Sequence, residues 1–386
     1  MHVAIVAPEF PPEIGGMQTY ALEFALELVR RGHRVTVLTR RRPTPPPVLT
    51  GIELHQVLAG RAAADLAALR RVAADADAWH VMNAAYAWVA LHLAPTVVSI
   101  HGNDFLRPYI PVGEPDLGAV PGLWRLPALR GALERRLGAG RTPRLMRAGL
   151  GRAALILANS RYTERVFLEL FPECAGRTQA AMVGVSASYL EPAERPAHAV
   201  PELLTVCRLS ERRKNVDLVL RALATLKERH AFRYTVVGDG ELRPELEALT
   251  AELGLQDRVR FAGFLDATGL RAQLLASDLF VLTAAINPAS HEGFGIVYLE
   301  ANACGTPTLA ARLAGAAEAV ADGVSGCFVD GLEVAQVAAA LERVLSGAQR
   351  FDPDACRTFA RGFGWDRVVE RALPAYALAT PQGQAA

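Results

Sequence analysis

A two-domain α/β fold, each domain a doubly wound parallel sheet, follows from three observations on this chain. Short apolar runs rich in β-branched residues alternate with helix-length amphipathic stretches along its whole length. The alternation stops at a proline-rich stretch near mid-chain, Glu191 to Pro201, and then restarts. The chain's 386 residues also exceed what one hydrophobic core usually supports, so two domains of roughly 150 to 200 residues are expected.

The first element is the apolar run His2 to Ala7, which ends in the loop Pro8-Glu9-Phe10-Pro11-Pro12. An amphipathic helix near Met17 to Arg31 follows, Gly32 stops it, and Val35 to Thr39 is a second apolar run, completing a β-α-β unit. Trp79 to Met82, Thr96 to Ile100 and Ala154 to Ala158 continue the series. Beyond the linker, the strands expected are Leu203 to Cys207, Tyr234 to Val237, Val259 to Ala262, Leu279 to Thr283, Pro307 to Ala310 and Gly326 to Val329. Two similar domains are therefore expected to face each other across a hinge. No short-period repeat is visible, and Thr380 to Ala386 reads as a frayed tail.

A formal net charge of +1 excludes a general nucleic-acid binder resting on a basic surface. Lys214 and Lys227 are the only lysines among the cations, a sign of genomic composition bias that makes a retained lysine informative. The five cysteines are widely spaced and form no C-x-x-C, so neither a disulfide framework nor a zinc site is indicated, and a reducing compartment is expected. The start is too short for a signal peptide and no run reaches the roughly 18 apolar residues of a membrane span. The expected location is the cytoplasm, including its membrane face.

The richest stretch is Ser290-His291-Glu292-Gly293-Phe294-Gly295-Ile296-Val297-Tyr298-Leu299-Glu300, after the apolar run ending at Thr283. Gly293 and Gly295 let the backbone come close to a ligand, and free N–H groups at a helix start favour a phosphate. The carboxylates of Glu292 and Glu300 repel that phosphate, so they suit hydroxyl groups on either side of it, a sugar at one end and a ribose at the other. The implied ligand is a nucleotide sugar.

Other positions sit where parallel strands present ligands, at their carboxyl ends. Gly15 and Gly16 allow a diphosphate to approach, or simply make a turn. His101, in His101-Gly102-Asn103-Asp104, can donate to a sugar hydroxyl or diphosphate, and Asn103 and Asp104 can bind acceptor hydroxyls, although Asp104 can equally cap the next helix. Arg208 and Lys214 place two cations at the start of a helix, where only an anion offsets their conflict with the dipole, so a departing diphosphate is their expected target. Gly238, Phe264 and Leu265 can line a pocket for the base, or form structural turns. Asp75-Ala76-Asp77 and Asp352-Pro353-Asp354 read as caps and turns rather than a metal site, and no metal is assigned. Residues 107–152 carry nine arginines with few acids, interleaved with Leu123, Trp124, Leu126, Leu129, Leu133 and Leu137. Such a segment is either an arginine-rich surface helix or one that meets an anionic membrane or a phosphorylated acceptor.

In order, these motifs assemble a pattern covering nearly the whole chain: Pro11-Pro12-x-x-Gly15-Gly16, Gly32-His33-x-Val35, His101-Gly102, Arg208 with Lys214, Val237-Gly238-Asp239-Gly240, Phe261-x-Gly263, Glu292 through Pro307, and Asp322-Gly323-x-x-Gly326. The chain resembles the retaining GT-B glycosyltransferases of the large family that includes bacterial mannosyltransferases and sucrose synthases, the family-four type. The resemblance implies two Rossmann-like domains facing a central cleft: 1–195 for the acceptor, 196–362 for the nucleotide sugar, and 363–386 as a helix crossing back, with a tail.

It further implies that Gly16 backs the donor diphosphate, that Arg208 and Lys214 stabilise it as it leaves, and that Glu292 holds a hydroxyl of the donor sugar. Backbone groups at Phe294, Gly295 and Ile296 approach sugar and phosphate, Glu300 accepts the ribose hydroxyls, and His101 lies by the transferring sugar. Retention and independence of metal and cofactor are implied too, with a UDP- or GDP-sugar as donor and a carbohydrate or lipid-linked acceptor. Two departures stand out: Asn215 where a glycine is usual, and Ala314-Gly315-Ala316-Ala317-Glu318 in place of the usual Gly-Gly and Pro-Glu, so Glu318 is given no role. The rival readings are an epimerase on the same fold and a binding subunit without turnover. A dinucleotide oxidoreductase is excluded because the first strand leads into Pro-Glu-Phe-Pro-Pro, not Gly-x-Gly-x-x-Gly.

Overall fold

The structure is a computed structural model and describes residues 1–379 except Ile14 and Ala289. The tail expected at Thr380 to Ala386 lies outside the described residues, as does the side chain of Trp124. The chain divides into two units, one of Met1–Gly184 with the segment from Trp365 on, the other Val185–Gly364.

In the first unit the strands are β1 (His2–Val6), β2 (Arg34–Arg40), β3 (Ile52–Leu58), β4 (Ala78–Val81), β5 (Thr96–Ile100), β6 (Leu155–Ala158) and β7 (Thr178–Ala180). They pair in parallel in the order β3-β2-β1-β4-β5-β6-β7. Every residue of β1, β4 and β5 is buried, as the continuous apolar runs require of strands covered on both faces. β3 and β7 fall outside the expected strands. Both lie at an edge and are only partly buried, so neither carries an uninterrupted apolar run. Helix Gly16–Arg30 buries Tyr20, Phe24 and Leu28, spaced one turn apart, and Gly32 ends the connection at φ 80°.

In the second unit β8 (Glu202–Val206), β9 (Arg233–Val237), β10 (Val259–Gly263), β11 (Leu279–Leu282), β12 (Thr308–Ala311) and β13 (Gly326–Val329) pair in parallel in the order β10-β9-β8-β11-β12-β13. The order reverses between β8 and β11, and between β1 and β4 in the first unit. At such a switch point adjacent loops leave in opposite directions and open a crevice outside the strands' carboxyl ends.

The proline-rich stretch is not a free linker. Arg195 donates to the carbonyls of Cys304 (3.0 Å) and Ser277 (2.6 Å) and to Thr306 Oγ1 (2.5 Å), which ties the stretch to the second unit. The unit accordingly begins at Val185, with Val185 N–H bonded to the Phe363 carbonyl at 3.0 Å. Helix Trp365–Tyr376 belongs to the first unit: the Trp365 ring lies edge-on to Tyr20 at 5.1 Å and packs on Gly184, where a Cβ would come within 2.6 Å of the indole.

Candidate functional site

In the second unit the loop leaving β8 carries Arg208 through Asn215, and the loop leaving β11 carries Thr283 through Gly295. Because β8 and β11 are neighbours at the switch point, residues almost eighty positions apart meet there. Lys214 Nζ lies 2.5 Å from Glu292 Oε2, and Arg213 Nη1 lies 3.4 Å from the same oxygen. Arg213 also donates from Nε to Ser290 Oγ (2.8 Å), pairs with Glu211 (2.6 Å) and accepts the Ala285 N–H on its carbonyl (2.7 Å). Arg213, Lys214 and Glu292 are all largely withdrawn from solvent. Burial pushes the Glu292 carboxyl upward, but the two cations outweigh it and hold the group below its ordinary value, as an ionised acceptor.

Lys214 and Glu292 are thus brought together, while Arg208 is not part of their contact. Its side chain is 65% exposed and pairs with Glu211 at 3.1 Å. Arg208 and Lys214 do line one small recess, with Glu211, Asp217 and Glu245. The cation that sequence reasoning missed is Arg213, because a run of Arg212-Arg213-Lys214 does not say which member turns inward.

Asn215 occupies the left-handed region at φ 56°, and its Nδ2 donates to the Thr283 carbonyl at 2.6 Å. This asparagine does what a glycine would do there and adds a bond to the end of β11. Gly295, at φ 85°, caps helix Ile296–Ala303, and Glu300 is buried on that helix. Phe294 is buried with its ring 5.8 Å from that of Phe363. The departure at Ala314–Ala317 remains tightly bound to this turn: Gly315 N–H donates to the Glu292 carbonyl at 3.0 Å, and a Cβ on Gly315 would lie 2.0 Å from the Gly293 carbonyl oxygen. Gly238, at φ 126°, is needed because a Cβ would sit 1.9 Å from the Cys207 carbonyl oxygen. Leu265 is half-buried and Phe264 is 59% exposed.

In the first unit, Gly15 and Gly16 open helix Gly16–Arg30 beyond β1, and His101 follows β5. The His101 ring stands edge-on to Tyr20 at 4.6 Å, and its Nε2 is shielded from water with no hydrogen-bond partner among the described residues. Burial lowers its pKa to about 4, so the ring is neutral at physiological pH. Asn103 begins a one-turn helix. Asp104 is buried, with Oδ1 accepting from the His101 N–H (2.9 Å) and Oδ2 from the Ala84 N–H (2.8 Å), so its carboxylate is committed to the backbone. Burial raises its pKa to about 6.

Behind His101 lies a polar network. His80 Nε2 bonds Ser99 Oγ at 2.8 Å, Ser99 Oγ bonds the Tyr20 hydroxyl at 3.3 Å, and His80 Nδ1 bonds the Tyr376 hydroxyl. The hint in sequence is the one polar residue in the run Trp79-His80-Val81. Burial first, then His101, lowers the His80 pKa to about 3. Both histidines have folded values below the unfolded 6.5, so their stabilisation is complete above pH 6.5 and is lost as pH falls toward 4 and 3. Asp104 acts oppositely, recovering stability as pH falls below about 6. Two histidines outweigh one aspartate, so the thermal midpoint of the first unit is expected to drop by several degrees between pH 7 and pH 4. His80→Asn should start lower and fall less steeply; a flat wild-type profile would refute the assignment.

Among the described residues no three His, Cys, Asp or Glu side chains gather as a metal site. Asp352 caps its helix by accepting the Asp354 N–H (3.0 Å), while Asp75 pairs with Arg34 (2.6 Å) and Asp77 accepts the His2 N–H (2.7 Å). No helix among the described residues is long and apolar enough to cross a membrane.

Two doubly wound parallel sheets, each with its candidate residues at the carboxyl edge, define the GT-B class. Residues 14–180 match the model described as Glycosyltransferase Family 4, and residues 191–360 match Glycosyl transferases group 1. A D-inositol 3-phosphate glycosyltransferase from Thermobispora bispora is 30% identical over 94% of this chain and 90% of that protein. Similar solved structures include sucrose-phosphate synthase from Thermosynechococcus elongatus, with a TM-score of 0.76 at 20% identity over 98% of both chains. Another is HepE of Anabaena in complex with UDP and glucose, with a TM-score of 0.69 at 18% identity over 98% of this chain and 99% of that one. The chain belongs to glycosyltransferase family 4 and is a glycosyltransferase.

Proposed function

We propose that the chain transfers a sugar from a UDP- or GDP-sugar to an acceptor hydroxyl, with retention at the anomeric carbon and without a divalent metal. The observation that carries this reading is the Lys214–Glu292 pair at the second sheet's switch point, next to the glycine-capped start of helix Ile296–Ala303. Held ionised, Glu292 accepts hydrogen bonds from donor-sugar hydroxyls. Lys214 has N–H bonds to spare beyond Glu292 and, with Arg208, takes up charge on the departing diphosphate, while the helix start favours the same anion. Backbone groups from Gly293 to Ile296 fit close to the donor, Glu300 accepts the ribose hydroxyls, and Gly238, Phe264 and Leu265 line the base.

In the first unit, Gly15 and Gly16 are read as backing the diphosphate and His101 as meeting the sugar, in keeping with a neutral ring whose buried Nε2 has no hydrogen-bond partner among the described residues. Asn103 is read as a contact to the acceptor, while Asp104, bonded to the His101 and Ala84 N–H groups, shapes the turn instead of binding the acceptor. As the anomeric C–O bond to the diphosphate breaks, the acceptor oxygen bonds the same face and its proton passes to the leaving phosphate oxygen. The acceptor is read as a carbohydrate or lipid-linked hydroxyl met at the cytoplasmic membrane face, in keeping with the arginines of 107–152. The similarity to a protein solved with UDP and glucose supports the donor class.

The test is a thermal-shift screen of UDP- and GDP-sugars followed by product analysis. A true donor at 100 times its Kd stabilises by about 2.7 kcal/mol. Transfer with an unchanged anomeric configuration in the presence of a chelator is the expected result. Inversion, or a chelator that abolishes transfer, would overturn those two parts; an epimerised free donor, or binding without turnover, would replace the reading.

A further inference from the structure

The helix Pro127–Leu150 has two faces that do different things. Its inner face buries Glu134, Gly138, Thr142, Met146, Gly149 and Leu150. Glu134 accepts from Arg61 (3.1 Å) and from the Leu117 N–H (3.0 Å), and Thr142 Oγ1 accepts the Gly113 N–H (3.0 Å). A Cβ on Gly149 would come within 2.1 Å of the Ala87 carbonyl oxygen, so the helix lies hard against the first unit. These contacts fix which way it is turned.

The opposite face presents Leu129 (56% exposed), Leu133 (36%) and Leu137 (40%), with Leu126 (55%) just before the first turn. At 3.6 residues per turn the three helical leucines, one turn apart, form a ridge about 80° wide, roughly opposite the buried stripe. Arg136 flanks the ridge on one side and Arg141 on the other, and Arg144 continues its line, all three exposed. The one acid of this helix, Glu134, is turned inward. Leucines in water cost free energy, and an outward face bearing only positive charge leaves its self-repulsion unrelieved until an anionic partner approaches. An apolar ridge between cationic rails matches a surface that is anionic outside and apolar within.

We infer that the Leu129–Leu133–Leu137 ridge seats the first unit on an anionic lipid bilayer, with Arg136, Arg141 and Arg144 held at the headgroups. This extends the acceptor reading above by naming the face and the partner, and it would bring the enzyme to a hydroxyl presented at a membrane surface.

The full chain is sedimented with vesicles of phosphatidylcholine alone and of equal parts phosphatidylcholine and phosphatidylglycerol, at low and high salt. Binding to the anionic vesicles and its loss at high salt are expected. Replacing the three arginines together by glutamine should lower the partition coefficient about 100-fold, at roughly fivefold per charge. Leu129→Ser, Leu133→Ser and Leu137→Ser combined should weaken it at least tenfold. These side chains are exposed, and circular dichroism checks that the variants fold. The inference is overturned if the wild-type chain ignores anionic vesicles at low salt, if it binds neutral vesicles as well, or if either triple variant binds unchanged. It is also overturned if sedimentation equilibrium shows that the leucines instead join two copies. Transfer by the wild-type chain to a short soluble acceptor is measured separately: transfer without vesicle binding sinks this inference alone, and vesicle binding without transfer sinks the transfer reading alone.

Discussion

Lys214→Ala is expected to lower kcat by about 10²- to 10³-fold, the loss typical of removing one donor aimed at developing transition-state charge. The ammonium sits 2.5 Å from Glu292, so its removal also takes the nearer counter-charge from a buried carboxylate. Arg213 remains at 3.4 Å from the same oxygen, which is why the fold is expected to survive. Donor KM should change much less than kcat, because charge on the bridging oxygen is largest as the bond breaks. Lys214→Arg keeps the charge but not the compact ammonium, and should recover only part of the rate. Steady-state kinetics with the best donor checks this. A variant that transfers at near-normal rate while folded would remove Lys214 from the mechanism.

Arg213→Ala should act on stability first. Its guanidinium meets Glu211, Glu292 and Ser290 at once, in a site largely closed to water. Breaking such a buried pair by deleting one partner strands the other charge and typically costs about 3 to 5 kcal/mol. That is a large share of a domain's net stability, so urea unfolding of the second unit should shift to a clearly lower midpoint. Arg213→Lys cannot reproduce a fork that reaches three groups and is expected to recover less than half of the loss. A shift no larger than that of an exposed substitution would mean that Arg213 does not hold the two loops together.

The difference between Arg213 and Arg208 illustrates what could be read in advance. Glycines 293 and 295, the glutamates flanking the turn and the pair Arg208 and Lys214 were visible because they sit at the ends of recognisable apolar runs. Asn215 looked like a departure from the glycine expected there, yet asparagine tolerates φ 56° and reaches the Thr283 carbonyl besides. The stretch Glu191 to Pro201 read as a linker on proline content, while its anchoring depends on one side chain, Arg195, finding carbonyls some 80 to 110 positions away. His80 and Tyr376 are 296 positions apart and meet only because helix Trp365–Tyr376 packs on the first sheet.

Local chemistry was therefore enough for the alternation of strands and helices, the two-unit α/β architecture, the glycine turns and the family. Each strand, helix and turn depends on patterns within about 30 residues, where periodicity, turn geometry and β-α-β chirality act without long-range information, and the two units and the family follow from the order of these local motifs along the chain. Which cation reaches Glu292, which carboxylate is spent on the backbone and which face of the arginine-rich helix points outward all followed from strand order and burial. Those depend on the β8–β11 and β1–β4 adjacencies and on packing between distant segments. Low-dielectric surroundings then select among residues that look alike along the chain, because a charge there is stable only where its partner already lies within a few ångströms.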